Sequence, residues 1–165
     1  MDAYNLLIHD LPFSPPPAPP GWRVVSALTS SARCQGCFGC WLKTPGQCVL
    51  KDSLQQIGAE IAQCERLAIV SRAFCGGFSP EVKRVLDRSI SGSLPFFTYR
   101  GGRLHHMSRY RNRPSLEIWL YGDMTDQEKE NARALAEANR INMAHDRMTI
   151  AFAPSADVWK EAWPV

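Results

Sequence analysis

The strongest pattern of apolar and polar positions lies in residues 66–90. A short apolar run at 67–70, bounded by polar residues, predicts a buried strand. Ser79 then provides a good N-cap for a helix, after a turn that contains Gly76 and Gly77. Four apolar residues share one face of this predicted helix: Val82, Val85, Leu86 and Ile90. The segment therefore predicts a strand, a glycine-containing turn and a helix.

Strand-like and helix-like segments alternate along the rest of the chain. Asp52 can cap one helix, and Thr125 with Glu128 forms a capping box for another. This alternation predicts an α/β fold, with a parallel sheet that is covered by helices on both faces. The predicted strands are 4–9, 22–28, 116–121 and 148–153, and the predicted helices are 52–64, 125–141 and a short one at 157–163.

Two segments break this alternation. Residues 10–21 contain six prolines, each of which lacks an amide donor and restricts the residue before it, so this link cannot be helical. The link is an extended crossing at the place where a doubly wound fold puts its first helix. Residues 91–113 show no periodicity and predict a long basic loop.

Composition and charge narrow the class of protein. The chain has 165 residues, 45% hydrophobic and 21% charged, which is ordinary for a single globular domain. It contains no apolar run of membrane-spanning length and no signal-peptide pattern, so we expect one domain over residues 1–165 in the cytoplasm, with no membrane partner. The net charge of +3 is small, but a basic cluster without any acidic residue should attract an anion. Its members are Arg100, Arg103, His105, His106, Arg109, Arg111 and Arg113.

The cysteines form the most specific local motif. Cys34, Cys37, Cys40 and Cys48 fall within fifteen residues, a spacing that can hold an iron–sulfur cluster. Zinc fits less well, because compact zinc sites pair their ligands across a longer loop. The alternative is four reduced, metal-free thiols that pack with nearby aromatic residues in a subunit contact. Gly76 and Gly77 similarly allow two interpretations, either a close approach of a flat or anionic ligand or a plain strand-to-helix connection.

Two segments together resemble a known family. The run C-Q-G-C-F-G-C-W-L-K-T-P-G-Q-C-V-L-K-D, followed by S-R-A-F-C-G-G-F-S-P-E-V-K-R-V-L-D-R-S, is similar to the flavodoxin-like NAD(P)H-dependent FMN reductases and iron–sulfur flavoproteins. The resemblance implies an open five-stranded parallel sheet, with FMN at its carboxyl edge and NAD(P)H as electron donor. It also implies a homodimer or homotetramer. The turn over the flavin ring would comprise Ser71, Arg72, Ala73, Phe74, Cys75, Gly76, Gly77, Phe78 and Ser79, with Tyr121 and Gly122 on the other side of the site.

The sequence departs from this family after the first strand. The family has a turn that opens a helix and holds the FMN phosphate, whereas this chain reads I-H-D-L-P-F-S-P-P-P. A phosphate needs backbone amides, and a proline run supplies almost none. Arg109 and Arg111, from the same or a neighbouring subunit, are the predicted substitutes.

The predicted function is therefore an FMN-binding NAD(P)H-dependent oxidoreductase acting on a small-molecule electron acceptor, with an iron–sulfur cluster on the cysteine loop. The alternatives are a flavodoxin-like binding or assembly module without a cofactor, and a small redox or metal protein that uses only the cysteines. Aromatic residues in the basic loop could stack on bases. However, the acidic helix and the modest net charge argue against a nucleic-acid partner.

Overall fold

A five-stranded parallel sheet forms the centre of the chain. The computed structural model describes residues 3–29 and 31–164. Elements are numbered along the chain, and the strands of the sheet follow the order β2-β1-β3-β7-β8. The flavodoxin-like fold predicted from the sequence is confirmed. The strands are β1 Asn5–His9, β2 Trp22–Ser26, β3 Arg66–Phe74, β4 Gly77–Phe78, β5 Ser93–Arg100, β6 Arg103–Ser108, β7 Ser115–Tyr121 and β8 Met148–Ala153. The α-helices are α1 Gly39–Leu42, α2 Ile57–Gln63, α3 Pro80–Asp87 and α4 Asp126–Asn142, and the 3-10 helices are Arg88–Gly92 and Ala156–Trp159.

The three longer helices, α2, α3 and α4, cover one face of the sheet. Successive strand residues point to opposite faces, so alternate positions of β1, β3 and β7 meet these helices. Both faces of the central strands are apolar, as expected for a parallel sheet that is buried on both sides. The sheet residues beneath the helices include Leu6, Ile8, Leu67, Ile69, Leu116, Ile118 and Leu120.

The opposite face is covered mainly by irregular chain and a 3-10 helix, whereas the sequence predicted helices on both faces. Residues 10–21 contain no helix, as the prolines predicted, and Leu11 of this link is buried against the sheet. The end of the chain contributes the 3-10 helix Ala156–Trp159, in place of the predicted helix at 157–163. Trp159 packs edge-on against Trp119, with 5.9 Å between ring centroids. Aromatic side chains thus fill the space that a first crossover helix would occupy.

Local signals set the beginning of the helices. Ser79 accepts a hydrogen bond from the Val82 amide, and Thr125 and Glu128 form the predicted capping box of α4. Asp52 does not cap α2, which begins only at Ile57. Its carboxylate accepts hydrogen bonds from the Leu54 amide and from a buried arginine instead, and this pairing corrects the predicted start of the helix.

Residues 91–113 are not the predicted loop. They include the antiparallel hairpin β5–β6, in which Tyr99 pairs with Leu104 and Arg100 pairs with Arg103. Gly101 and Gly102 form its two-residue turn with φ of 55° and 76°, a conformation that favours glycine. The adjacent aromatic and histidine pairs break the polar–apolar alternation, so the strands left no clear period in the sequence.

The helices are short or polar. The longest, α4, has 17 residues and carries acidic and basic side chains along its length. Within residues 3–29 and 31–164, no helix has both the length and the apolar character needed to cross a bilayer.

Candidate functional site

The carboxyl ends of β1, β3 and β7 meet where the strand order reverses, the usual ligand-binding position in an open α/β sheet. Polar residues at these ends are almost fully buried: His9, Asp10, Ser71 and Ser79. Such burial is costly unless each group is hydrogen-bonded. The hydrogen bonds at this edge therefore decide what remains free for a ligand.

Asp10 closes the crevice between β1 and β3. The Arg72 amide donates to both carboxylate oxygens of Asp10, at 2.9 and 3.1 Å. The hydroxyl of Tyr121 donates to the Asp10 carbonyl at 3.1 Å, and burial raises the pKa of this phenol above its ordinary value. Tyr121 is therefore a buried structural donor, and the edge already holds a negative charge.

The Ser71 hydroxyl organises the turn after β3. It accepts a hydrogen bond from the Ser79 amide at 2.9 Å and donates to the Arg72 carbonyl at 3.0 Å. The turn begins directly after β3, where Cys75 and Gly76 both adopt the left-handed conformation, with φ of 49° and 72°. A Cβ on Gly76 would lie 3.0 Å from the Glu128 carbonyl, so only glycine lets this turn pack on α4.

Phe74 presents an aromatic face at the tip of this turn. Its side chain is 49% exposed, and the Arg72 guanidinium lies 5.9 Å from its ring centroid. The Arg72 side chain is half-exposed, and its guanidinium lies 4.0 Å from the Glu81 carboxylate. This is a long ion pair, so the positive charge of Arg72 stays accessible. An exposed ring beside an accessible cation suits a flat anionic ligand.

A cavity of about 690 Å³ extends from this turn across the helix face of the sheet. Its volume lies in the range of small-molecule sites. Phe74, Cys75 and Phe78 line one end, whereas Tyr110 and Asn112 line the other. β3 has nine residues and rises about 3.3 Å per residue, so the two ends lie roughly 25 Å apart. The cavity therefore joins the predicted flavin turn to the base of the hairpin.

The structure brings together only part of the predicted cofactor site. Ser71, Ser79 and Gly76 are buried in the fold, whereas Arg72, Phe74 and Cys75 are exposed at the edge. Ala73, Gly77 and Phe78 are partly buried, and Gly122, at φ of 106°, has open space around its Cα. These residues all lie at the carboxyl edge, as predicted.

Arg109 and Arg111 lie away from this edge within one chain. The Arg109 side chain donates to the Ser91 and Ser93 carbonyls, at 3.1 and 3.4 Å. Arg111 is exposed next to Asn112, whose side chain bonds the Cys64 carbonyl near the beginning of β3. A single subunit thus does not place either arginine beside Phe74.

The four clustered cysteines share one small cavity of about 30 Å³ with Arg88. All are free, and burial raises the pKa of the Cys40 thiol, which favours its protonated form. No group of three or more His, Cys, Asp or Glu side chains in the described part of the chain has an arrangement that could hold a metal ion. The structure therefore brings these thiols together but gives the iron–sulfur prediction no further support.

Sequence reasoning missed the ion pair that fixes the cysteine loop. The Arg88 side chain is 0% exposed, and its two terminal nitrogens donate to the Asp52 carboxylate at 2.8 and 2.9 Å. Arg88 also bonds the Ala32 carbonyl at 2.8 Å. The hydrogen bonds from Arg88 to the Asp52 carboxylate lower the pKa of Asp52 to about 2. The sequence did contain a signal for a buried charge: Arg88 lies three residues after Val85 and therefore falls on the apolar face of the predicted helix.

The site suits the flavin ring of FMN better than it suits the phosphate group of FMN. Phe74 and its turn offer an exposed aromatic surface at the edge of the cavity. The link after β1 offers few amides, because six of its residues are prolines, and the Leu11 amide already donates to His9. The buried Asp10 carboxylate would repel a phosphate at this position. Arg72, whose amide donates to Asp10, has a half-exposed guanidinium at the same edge of the sheet.

Comparisons with known proteins support the fold. No protein-family profile matches the sequence, and no curated protein matches it. Among solved structures, the chain is similar to an FMN-dependent NADH-azoreductase from Bacillus anthracis in complex with FMN, with a TM-score of 0.51 and 11% sequence identity. The match covers 92% of this chain and 87% of the other. At this identity the likeness shows the flavodoxin-like fold alone.

Proposed function

We propose that this chain binds FMN through its isoalloxazine ring at residues 71–79 and acts as an NAD(P)H-dependent oxidoreductase. The half-exposed Phe74, held over a large cavity by a left-handed turn at the carboxyl end of the central strand, is the observation that carries the proposal. The structural similarity to an FMN-dependent NADH-azoreductase supports the proposal. A bound flavin would supply the hydride and electron transfer.

The residues of the turn would orient the ring and exclude water. The Ser71–Ser79 hydrogen bond and the contact of Gly76 with α4 fix the turn before any ligand binds, so little ordering is needed on binding. Arg72 would attract the phosphate from solvent. Because the usual amide nest is absent, we expect FMN to bind more weakly than it binds a complete phosphate loop.

A cofactor-free binding module is the second candidate, favoured by one observation. The Asp10 carboxylate, 5% exposed, already accepts the Arg72 amide at the switch point of the sheet. In this alternative Asp10 is a permanent part of the crevice and no flavin enters. An iron–sulfur cluster is not part of either proposal.

Titration of FMN, followed by the quenching of flavin fluorescence, distinguishes the two candidates. Phe74→Ala should weaken binding about fivefold, since an aromatic contact contributes roughly 1 kcal/mol. Asp10→Asn should tighten binding about fivefold or more, because it removes a buried like charge while keeping an acceptor for the Arg72 amide.

Two matched variants control this titration. Phe96→Ala removes an exposed aromatic ring from the hairpin, and Asp157→Asn removes an exposed acid next to Lys160. Neither should change FMN affinity. If neither the wild-type protein nor Asp10→Asn quenches flavin fluorescence at millimolar protein concentration, the flavin proposal is rejected in favour of the cofactor-free module.

A further inference from the structure

The large cavity on the helix face of the sheet has two chemically different ends. One end is the turn after β3, where Phe74 carries the proposed flavin site. The other end lies beside the first residues of β3 and β7, because Asn112 bonds the Cys64 carbonyl and His145 bonds the Pro114 carbonyl. The nine residues of β3 separate the two ends by roughly 25 Å, so a flavin ring at Phe74 leaves the second end free. We call this second end the histidine end, and it comprises Tyr110, Asn112, Asn139, Asn142 and His145.

The walls between the two ends are apolar. The central strands contribute Ile69, Leu116 and Ile118 to the floor, and α4 contributes Ala132 and Ala136. Filling such a space with an apolar chain removes nonpolar surface from water, which is the main source of affinity for an apolar ligand. The cavity is also elongated, because it follows β3 from one edge of the sheet to the other. Its shape therefore favours a long, narrow apolar ligand.

The charges around the cavity disfavour an ionised ligand. Among the residues that the structure describes, Lys83 and Asp87 are the acidic or basic residues of the lining besides histidines, and they pair with each other at 2.8 Å. Two arginines near the histidine end are engaged elsewhere, since Arg140 pairs with Glu137 and Arg100 donates to main-chain carbonyls. A charged ligand group would lose its hydration here without gaining a counter-charge. The cavity therefore favours an uncharged ligand.

His145 gives the histidine end a hydrogen-bond acceptor. The residue is 4% exposed, and its Nδ1 atom lies 3.1 Å from the Pro114 carbonyl oxygen. A carbonyl oxygen can only accept, so Nδ1 carries the proton of this bond. Burial lowers the pKa of His145, which keeps the ring neutral at pH 7. Nε2 is then an acceptor, and it is buried without a hydrogen-bond partner among the residues that the structure describes.

A buried acceptor without a partner is costly, and a donor from a ligand would remove that cost. The other side chains of the histidine end are a phenol and three amides, which are also neutral and polar. One end of the cavity therefore suits an uncharged polar group that can donate a hydrogen bond, whereas the walls suit an apolar chain. These two requirements together describe a neutral amphiphile.

We propose that the cavity binds a neutral amphiphile, whose apolar chain lies along the walls and whose hydroxyl group donates a hydrogen bond to Nε2 of His145. A long-chain alcohol is the simplest member of this class. The ligand enters between α3 and α4, where Lys83 and the half-exposed Leu135 line the cavity. This site is separate from the flavin turn and does not require FMN.

Displacement of a neutral apolar fluorophore, N-phenylnaphthylamine, from the purified chain without FMN tests the proposal. Three competitors of equal chain length separate the contributions of the head group. Dodecanol should displace the fluorophore at about fivefold lower concentration than dodecyl methyl ether, because the ether cannot donate to His145. Dodecanoate should be the weakest of the three, since its charge has no counter-charge in the cavity.

Substitutions at the histidine end locate the ligand. His145→Phe keeps a planar ring but removes the acceptor, so it should weaken dodecanol about fivefold and leave the ether unchanged. A purely structural effect would weaken both ligands. Asn139→Phe, at a partly buried lining residue of α4, should fill the cavity and weaken both at least about tenfold. Ala138→Phe, at the exposed neighbouring position outside the lining, is the matched control and should change neither.

Thermal unfolding verifies that each variant folds, and the comparison of the three competitors tests the wild type without any substitution. Equal displacement by dodecanol and the ether, or stronger displacement by dodecanoate, would overturn the proposal. So would a wild-type chain that does not bind the fluorophore, or dodecanol binding that survives Asn139→Phe. Because these measurements contain no FMN, their failure is distinguishable from the failure of the flavin titration.

Discussion

At the scale of single residues, the ion pair between the fully buried Arg88 and the partly exposed Asp52 stabilises the fold. Arg88 is fully buried at the junction of α3 and the 3-10 helix Arg88–Gly92, and Asp52 is its only charged partner among the residues that the structure describes. Breaking such a pair from one side leaves an uncompensated buried charge, which costs more than the pair contributes. The pair also joins the cysteine loop to the end of α3 through the Ala32 carbonyl.

We predict that Asp52→Asn lowers the free energy of unfolding by about 3 kcal/mol, measured by urea denaturation at pH 7. Asp87→Asn is the matched control. Asp87 is the neighbour of Arg88, but it makes an exposed ion pair with Lys83, so its loss should cost less than about 0.5 kcal/mol. Equal losses for the two variants would contradict this account of Arg88.

The same pair sets part of the acid sensitivity. The folded pKa of Asp52 is about 2, below its ordinary 3.8. The resulting stabilisation, about 2 kcal/mol, is present above pH 4 and is lost as the pH falls towards 2. In Asp52→Asn this part of the pH dependence should disappear, so that the two stability curves converge in acid.

At the scale of elements, the contact between α2 and the 3-10 helix Arg88–Gly92 depends on the absence of a side chain. A Cβ on Gly58 would meet the Ser91 hydroxyl and would lie 2.7 Å from the Gly92 amide nitrogen. Backbone lies on this side of the helix, so the crowding cannot be relieved by a side-chain rotation. Gly58 therefore sets how closely these two elements pack.

Gly58→Ala should therefore lower the melting temperature, with a loss of about 1–3 kcal/mol. Gly77→Ala is the comparison, because its Cβ would lie at an ordinary 3.7 Å from the Phe74 carbonyl oxygen. We expect little change in stability for Gly77→Ala. Differential scanning calorimetry of both variants gives the answer, and a stable Gly58→Ala would show that the two elements are free to separate.

Elements with strong local signals were predictable. Strand 148–153 and the capping box of α4 agree with the sequence pattern, because a continuous apolar run and a reciprocal cap depend on neighbouring residues alone. The hairpin was missed, although Gly101 and Gly102 are a typical hairpin turn. Its strands do not bury one face in their own chain, so no alternation of apolar and polar residues was required of them.

At the scale of the whole molecule, the sequence located the edge of the sheet that bears the candidate site but not what occupies it. Residues 71–79 were placed correctly because strand order determines where a β3 turn lies. The role of Asp10 depends on a hydrogen bond to Arg72, 62 residues away in the chain, and no local pattern encodes it. The position of Arg109 likewise follows from the hairpin, which was not predicted.

The most direct test of the account is an amide NMR map of the labelled chain titrated with FMN. We predict that chemical-shift changes concentrate at residues 71–79 and at Gly122, with Phe74 and Cys75 most affected. Saturating FMN that leaves these amides unchanged, or that shifts only the basic hairpin, would contradict the central claim that a flavin ring binds at the turn after β3.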